Sequence, residues 1–537
     1  MSDEFDVVIC GGGLAGLSLG RQLKLTLPDL KIAIIDKMAR PLPAAAHKVG
    51  ESSVEIGAHY YGRVIQLEDY LRKSHLPKLG LRFFLGDTQG PVENRPELGA
   101  KEFPPVPSYQ LDRGILENDL REMNAQAGIT LMEGYTVTDI ELSSGGHHRV
   151  ICENRSEGQT IVLKGRWAVD ALGRRRLIQS KLHLKKPNGH QASAVWFRMP
   201  GRLDVSDLVP DSCAQWHARV PNRQRYLSTN HLMGRGYWVW FIPLSSGNTS
   251  VGIVTGEADH PYSSYSTPDK AMKWLRTYEP KVADYLEGRE MLDFKGLKNY
   301  SYGSHQVYSP DRWACVGEAG VFPDPLYSPG SDLIGFGNTI TTQMIKMDLE
   351  GTLTPEIVRR YDRLFLSLAE SAFVVFRDNY SVFGHAQVTT AKVMWDYAVY
   401  WAFFAPLLFQ KLLSDPELID TLYWMSIKFY ELHDKVQSLF REWAAKAPSR
   451  STYQFFEFLR FPYFRSLLLD LLEKKPREQC LKEMWTQYLF LQNYAEALQY
   501  QAFEETESAD ITPTSTRLSL LQMLYAPVTS QHARPAL

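Results

Sequence analysis

The stretch Phe5–Gly16 reads Phe-Asp-Val-Val-Ile-Cys-Gly-Gly-Gly-Leu-Ala-Gly, and its reading decides the fold. Val7, Val8 and Ile9 make a short β-branched run of the kind that fills a buried parallel strand. It passes directly into Gly11-x-Gly13-x-x-Gly16 and then into a helical pattern from Leu17 to Leu25. Each glycine has a separate physical task. Gly11 makes the tight turn, Gly13 lets backbone approach a pyrophosphate, and Gly16 lets helix and strand pack closely. The helix N-terminus adds free N–H groups and the positive end of a dipole. A second apolar strand, Ile32–Ile35, ends at Asp36, twenty positions after Gly16, where a carboxylate suits ribose hydroxyls. Strand, glycine turn, helix, strand and acid in that order predict a dinucleotide site, with Ala15 inside its turn.

At the N-terminus of a chain this long, FAD is a better fit to that site than NAD. The 537 residues exceed one ordinary domain. A hydrophobic share of 44% and a charged share of 22% are globular values, and a net charge of -2 argues against nucleic acid as the main partner. The five cysteines (Cys10, Cys152, Cys213, Cys315 and Cys480) have neither disulfide-framework nor zinc spacing, and the 14 histidines show no metal-ligand pairing, so no metal is expected. Residues 1–10 are acidic and run into a strand, unlike a signal peptide. The longest apolar run, Tyr397–Phe409, is broken by Pro406 and too short to span a bilayer. The expectation is a cytoplasmic protein without a transmembrane segment.

Outward from the glycine turn, Pro41–Ala46 reads as a loop before His47-Lys48-Val49-Gly50-Glu51-Ser52-Ser53, and a helical pattern follows to Leu71. Leu81–Leu85 reads as a strand. Thr88–Pro107, rich in Pro, Gly and Glu, reads as a long surface loop. Tyr109–Arg113 opens a helix with Leu116, Leu120 and Met123 at helical spacing. Short β-like pieces between 130 and 170 deliver the chain to Asp170-Ala171-Leu172-Gly173-Arg174. Strand patterns at Ala194–Met199, Tyr237–Ile242 and Ser250–Val254 predict an antiparallel sheet inserted at about 185–300. Thr267-Pro268, Thr354-Pro355 and Asp415-Pro416 are helix starts. The chain thus divides into 1–345, a nucleotide-binding module with its inserted sheet; 346–505, a helical region; and a polar tail, 506–537, expected to be poorly ordered at its end.

Gly11–Gly16, Arg113 at the head of its helix, and Asp170–Arg174 together resemble the flavin-binding elements of the two-domain flavoprotein monooxygenases. Ala314–Gly317 followed by Glu318 resembles their Gly-Asp element, with Glu in place of Asp; the extra methylene keeps an acceptor for the ribityl chain. Two motifs narrow the resemblance to flavin-dependent halogenases. Trp238-Val239-Trp240-Phe241-Ile242-Pro243 matches Trp-x-Trp-x-Ile-Pro, and Phe322-Pro323-Asp324-Pro325-Leu326-Tyr327-Ser328-Pro329-Gly330 matches Phe-x-x-Pro-x-x-Ser-x-Gly. The resemblance covers roughly residues 5–345, and the helical region more loosely.

What the resemblance implies is an α/β fold: a Rossmann-like FAD-binding domain, an inserted antiparallel substrate sheet and an α-helical C-terminal region. In that family reduced flavin and oxygen oxidise halide to hypohalous acid, which passes to a separate substrate pocket. Trp238 and Trp240 would keep substrate from the flavin. A lysine between the pockets would hold the oxidant, and a compact ammonium on a flexible stem suits that task. Lys78, 28 residues after Gly50 in Pro-Lys-Leu-Gly-Leu-Arg-Phe-Phe, resembles the Lys-x-Gly-x-x-Phe of phenol- and pyrrole-type members, with Lys73 in reserve. Ser328 and Gly330 would hold the halide. The cofactor-binding set is then Gly11, Gly13, Ala15, Gly16, Asp36, Lys48, Ser52, Arg113, Asp170, Gly317, Glu318 and Gly330, Gly50-Glu51-Ser52 matching the family's Gly-Glu-Ser.

Two departures bear on the substrate and on the halide. Tryptophan-type members carry glutamate where this chain has Tyr327, which points to phenols or pyrroles rather than indoles. Pro329 stands at the x of Ser-x-Gly and has no N–H, so one donor for a halide is missing. Asp332, just beyond, has no evident halogenase role and reads as a structural cap in preference to a base beside the flavin. The leading expectation is an FAD-dependent halogenase acting on an electron-rich aromatic, free or tethered to a carrier protein. No second dinucleotide fingerprint is present, so a separate flavin reductase would supply reduced FAD. Two alternatives stand: a hydroxylase or dehydrogenase on the same scaffold without halide, and a non-catalytic flavin-bound scaffold that docks a carrier protein. A homo-oligomer is compatible with either. Tyr397–Phe409, denser in aromatics than a core face requires, is expected to wall a substrate pocket.

Overall fold

A computed structural model describes residues 3–43, 50–86, 88–154, 158–449, 453–507 and 523–525. Lys48 and most of the 506–537 tail therefore lie outside the described residues. Glu4–Cys10, the strand read first, is the centre of a parallel sheet, flanked by Ile32–Asp36 on one side and Gln159–Asp170 on the other. Thr130–Glu133 extends it beyond Ile32–Asp36, and Trp313–Cys315 beyond Gln159–Asp170. Register matters more than strand number here. Cys10 pairs with Ile35 and Asp170, and Asp170 with Cys315, so all the flavin-like motifs leave the sheet at one carboxyl edge. Ligands of doubly wound sheets bind at that edge. Antiparallel Tyr135–Glu141 and His148–Asn154 continue from Gln159–Asp170, a twelve-residue strand where the sequence pattern predicts only short pieces.

The second sheet runs in the order Lys295–Leu297, Ala192–Pro200, Asn248–Gly256, Tyr237–Pro243, Thr229–Gly234, Leu81–Phe84, Glu97–Leu98, Phe455–Phe456. It reaches beyond the expected 185–300: Leu81–Phe84 joins Thr229–Gly234 in parallel, and the helical region contributes Phe455–Phe456 at the far edge. Its central strands are apolar on both faces because both are covered. Trp238, Trp240, Met233 and Val254 pack towards the main core. Val195, Phe197, Val239 and Phe241 pack beneath Pro268–Tyr278 and Pro280–Leu286.

Thr88–Pro107 is not a surface loop. Glu97 is fully buried in it, with Arg82 Nη1 at 2.5 Å and Arg225 Nε at 2.8 Å from its Oε1. Arg95 is buried against Glu279 at 2.8 Å. The charged composition that reads as solvated is ion-paired inside, and a buried carboxylate requires such partners.

The helical region packs Pro355–Val374 parallel to Ile419–Lys446, with Arg360 on Asp420 and Ser367 Oγ at 2.7 Å from Ser426 Oγ. The Thr caps read from sequence are formed: Thr267 accepts from the Lys270 N–H and Thr354 from the Ile357 N–H. The helical pattern before Leu71 is broken, in contrast, into Glu55–His59, a π-helical turn Tyr60–Val64 and Glu68–Ser74. A second π turn, Tyr400–Phe404, leads into Pro406, where the Ala405 N–H bonds back to the Tyr400 carbonyl. Proline cannot donate to the preceding turn, and the helix absorbs this by widening. Among the described residues no helix is long and apolar enough to cross a membrane.

Candidate active site

Gly11 sits at φ +116° and donates its N–H to the Ile35 carbonyl at 2.8 Å. A Cβ there would lie 2.3 Å from the Ala171 carbonyl oxygen, so no other residue fits. Asp36, at the end of its strand, accepts from the Gly12 N–H at 2.6 Å and from the Met38 N–H at 2.8 Å. Gly317 (φ +57°) comes so close to the glycine turn that a Cβ would stand 2.7 Å from the Ala15 Cβ. Between these backbones lies a solvent-connected cleft of about 440 Å³. Gly11, Gly13, Ala15, Asp36, Ser52, Arg113, Gly317, Glu318, Ser328 and Gly330 all line it, with Arg174 and Arg175. The site fits FAD: tight glycine backbone and a helix N-terminus for the pyrophosphate, arginines beside it, and acids at Asp36 and Glu318 for hydroxyls.

One turn separates this cleft from a second cavity. Tyr327 and Ser328 both take left-handed backbone angles, φ 65° and 60°, and Pro329 then starts the helix Pro329–Leu349. Two consecutive non-glycine residues in that region cost about 1–3 kcal/mol each unless the surroundings hold them. Asp324 does the holding. Its Oδ1 accepts from the Leu326 N–H at 2.9 Å, and its Oδ2 takes Tyr300 OH and His190 Nε2 at 2.7 Å and Tyr380 OH at 2.8 Å. The result is alternation: Ser328, Gly330 and Ser331 face the cleft, while Tyr327, Pro329 and Asp332 face the second cavity.

That cavity has a volume of about 100 Å³ and is mostly apolar. Lys78 lines it and is only 1% exposed, its Nζ donating to Ser52 Oγ and to the Ser53 carbonyl, each at 2.8 Å. Ser52 lines the flavin cleft, so Lys78 stands on the partition itself. Lys73, by contrast, is exposed on the last turn of Glu68–Ser74. Burial lowers the Lys78 pKa, opposed by the charges of Glu55 and Asp332. Burial likewise raises Glu55 and pushes Asp332 up to about 8, although Asp332 accepts from Tyr400 OH at 3.0 Å and the Gly57 N–H at 2.9 Å. An amine and two carboxyls thus share a nearly dry wall.

No family model matches the chain. It is 26% identical over 435 residues to the flavin-dependent halogenase chlA of Dictyostelium discoideum, covering 75% of this chain and 70% of that one. It is 27% identical over 355 residues to a 1H-pyrrole-2-carbonyl-[peptidyl-carrier protein] chlorinase of Pseudomonas fluorescens, covering 62% and 73%. The crystal structure of the halogenase PltM with phloroglucinol and FAD superposes with a TM-score of 0.69 at 17% identity, over 90% of this chain and 96% of that one, which speaks for the fold. The chain is thus similar in sequence to flavin-dependent halogenases and shares the fold of their solved structures.

It is an FAD-dependent oxidoreductase. Three residues read as site residues stand differently in the structure from the sequence expectation. Asp170 is buried and does not line the cleft; its carboxylate accepts from the Leu172 N–H at 3.0 Å and the Ile178 N–H at 2.9 Å and so shapes the turn that does. Trp238 and Trp240 line neither cavity. Their indole N–H groups are committed within the protein, Trp238 to Tyr380 OH at 3.0 Å and Trp240 to Ser250 Oγ at 3.1 Å. The Trp240 ring lies over Gly252, where a Cβ would come within 2.2 Å of it. The indole that faces the cleft is Trp196, on a neighbouring strand of the same sheet. Gly16 also stays out of the cleft, packed so that a Cβ would be 2.0 Å from the Gly11 carbonyl oxygen, which is the packing task read for it.

Reading the sequence missed Glu55 and Trp196, and took Asp332 for a merely structural residue. Asp332 sits on the helix that Ser328 heads, and its spacing from the motif is a usable signal. Glu55 follows Gly50-Glu51-Ser52 by only a few positions. Trp196 has no signature beyond a β-pattern. Of the aromatic stretch, Tyr397, Tyr400, Trp401 and Phe404 do line the second cavity.

Proposed function

We propose that this protein halogenates an electron-rich aromatic of phenol or pyrrole type, bound in the cavity beside Lys78. The observation that carries the reading is the Lys78 ammonium on the partition, tied at 2.8 Å to a serine of the flavin cleft and open to an apolar cavity on its other side. FAD, held by the glycine cradle, Asp36, Arg113, Glu318 and the Ser52 hydroxyl, supplies when reduced the oxidation of halide by oxygen.

The protein's own groups do the rest. Halide binds beside Ser328 at the head of the Pro329–Leu349 helix. Pro329 is its first residue, a position where the N–H is an orphan and proline is favoured. The next two residues, Gly330 and Ser331, line the cleft, and their N–H groups, without a partner among the described residues, supply what Pro329 cannot. Lys78 receives hypohalous acid and orients it by N–H donation towards the ring. Attack by the ring carbon breaks the oxygen–halogen bond, the departing hydroxide leaves as water with a proton from the Lys78 ammonium, and Glu55, a cavity carboxyl whose pKa burial raises, accepts the ring proton in its ionised form. The apolar walls keep water from competing for the oxidant.

One relative is named for a pyrrole carried on a peptidyl-carrier protein, whereas PltM was crystallised in complex with phloroglucinol. We place this chain with free phenols, because the cavity is closed in by Tyr397, Trp401 and Phe404 from the helical region. A separate reductase would deliver reduced FAD in the cytoplasm.

The test is product mass analysis with FAD, a flavin reductase, NADH, oxygen and bromide over phenols, pyrroles and indoles. A bromine isotope doublet on phenols or pyrroles is the expected result. A product with one added oxygen, or two hydrogens fewer, and indifferent to bromide would replace this reading by the hydroxylase or dehydrogenase one.

A further inference from the structure

The far end of the cavity carries polar groups that nothing so far employs. It closes against the parallel helices Pro355–Val374 and Ile419–Lys446, one turn beyond their Ser367–Ser426 contact for Ser371 and two turns for His433. Both residues line the cavity, at 2% and 1% exposure. Ser371 Oγ has no hydrogen-bond partner among the described residues. A helical serine commonly returns its hydroxyl to the carbonyl one turn back, as Ser180 does to Arg176 at 2.7 Å, and Ser371 does not.

His433 has its tautomer fixed. Trp395 Nε1–H points at His433 Nδ1 at 2.8 Å, and an indole N–H can only donate. Nδ1 is therefore the acceptor and Nε2 carries the proton, with no protein partner among the described residues. Burial keeps this ring neutral, lowering its pKa to about 4. The charged groups acting on it are Asp396, which also lines the cavity, and Lys392, the two paired at 2.6 Å, whereas those acting on Lys78 are Glu55 and Asp332. Buried donors left unmatched are costly, and native interiors seldom retain them without a use.

We propose that Ser371 Oγ–H and His433 Nε2–H form an anchoring subsite for an oxygen substituent of the aromatic substrate, a carbonyl or a second hydroxyl, which presents the opposite edge of the ring to Lys78. The proposal rests on the halogenation reading above and narrows its substrate class to rings with a hydrogen-bonding oxygen remote from the carbon that is halogenated. A subsite of this kind rejects an analogue lacking the oxygen, because its donors are then left unpaired.

Isothermal titration of the FAD-loaded, oxidised protein with 4-hydroxyacetophenone and 4-ethylphenol tests it, since the two differ by one carbonyl oxygen. The wild type should bind the ketone roughly tenfold more tightly, as two neutral hydrogen bonds allow. His433→Phe should reduce that preference to twofold or less and Ser371→Ala should reduce it in part, with affinity for 4-ethylphenol unchanged. Ser371→Ala removes only an unbonded hydroxyl and carries the test should His433→Phe fail to fold. Equal binding of the two ligands by the wild type, or an undiminished preference in Ser371→Ala, overturns the subsite. If both phenols are nevertheless brominated, the halogenation reading survives that loss. Failure to brominate any ring overturns the reading and the subsite together.

Discussion

The flavin cleft and the cavity beside Lys78 share a wall but are built from different material. The cleft is made of backbone: Gly11, Gly13, Gly317 and Gly330 line it, and two of them sit where a Cβ would come within 2.7 Å of another residue. The cavity is made of side chains drawn from the 54–81 segment, the Tyr327–Phe336 turn and the helices beyond 345. A backbone-built site tolerates few residue types and so writes motifs into the sequence. A site built of side chains accepts many packings and writes almost none. The same contrast orders what mutation should do.

The largest effect belongs to the backbone site. Gly11→Ala meets the Ala171 carbonyl and a disfavoured φ together. FAD affinity should fall about 100-fold or more, a loss of about 3 kcal/mol, read from the flavin-to-protein absorbance ratio of the purified protein. Stoichiometric flavin in this variant would break the comparison. Phe404→Ala, in the side-chain site, should leave FAD content intact, raise KM for the aromatic about tenfold and cost about 2 kcal/mol of stability, since the ring is only half-buried. A collapsed melting temperature with unchanged turnover per folded protein would instead make Phe404 a core residue.

Asp332 sharpens the comparison through pH. Its folded pKa, about 8, lies above its usual value of 3.8. Between those values the native state holds a proton that the unfolded chain has released, so this group's contribution to stability is complete below about 4 and declines until pH passes about 8. Asp332→Asn removes the decline. Its melting temperature should fall less than that of the wild type between pH 5 and 8, and parallel curves would contradict the assignment. The smallest effect is expected at Trp240→Phe, which loses the Ser250 hydrogen bond and about 1 kcal/mol. With Trp196 facing the cleft, its products should contain no added oxygen, and hydroxylated product would restore Trp240 to a barrier role.

Against that background it is clear why some features were legible and others were not. The parallel sheet followed from Val7–Ile9, the glycine turn and Asp36, because period and spacing are fixed by backbone geometry. Lys78 was legible from its neighbours in sequence, though its burial was not: a lysine in a short polar stretch looks solvated until Glu55, Ser52 and Asp332 are seen around it. Thr88–Pro107 misled for the same reason, as Arg95 and Glu97 carry the look of a surface while paired inside. Trp238 and Trp240 were found by motif but assigned to the wrong surface, since alternation along a strand tells which side a residue is on and not what lies there. His433 and Ser371 have no local signal, because they reach one cavity from two helices separated by some sixty residues of chain.

The central claim is that Lys78 transfers the oxidised halogen from one compartment to the other. The most direct test compares wild type and Lys78→Ala with reduced FAD, oxygen and bromide, following brominated aromatic and flavin oxidation in the same reaction. The account predicts that flavin oxidation continues in Lys78→Ala, FAD content is unchanged, and brominated product falls at least about 100-fold, a loss of about 2.7 kcal/mol in transition-state stabilisation. Brominated product formed at the wild-type rate would contradict it and leave Lys78 a buried structural cation.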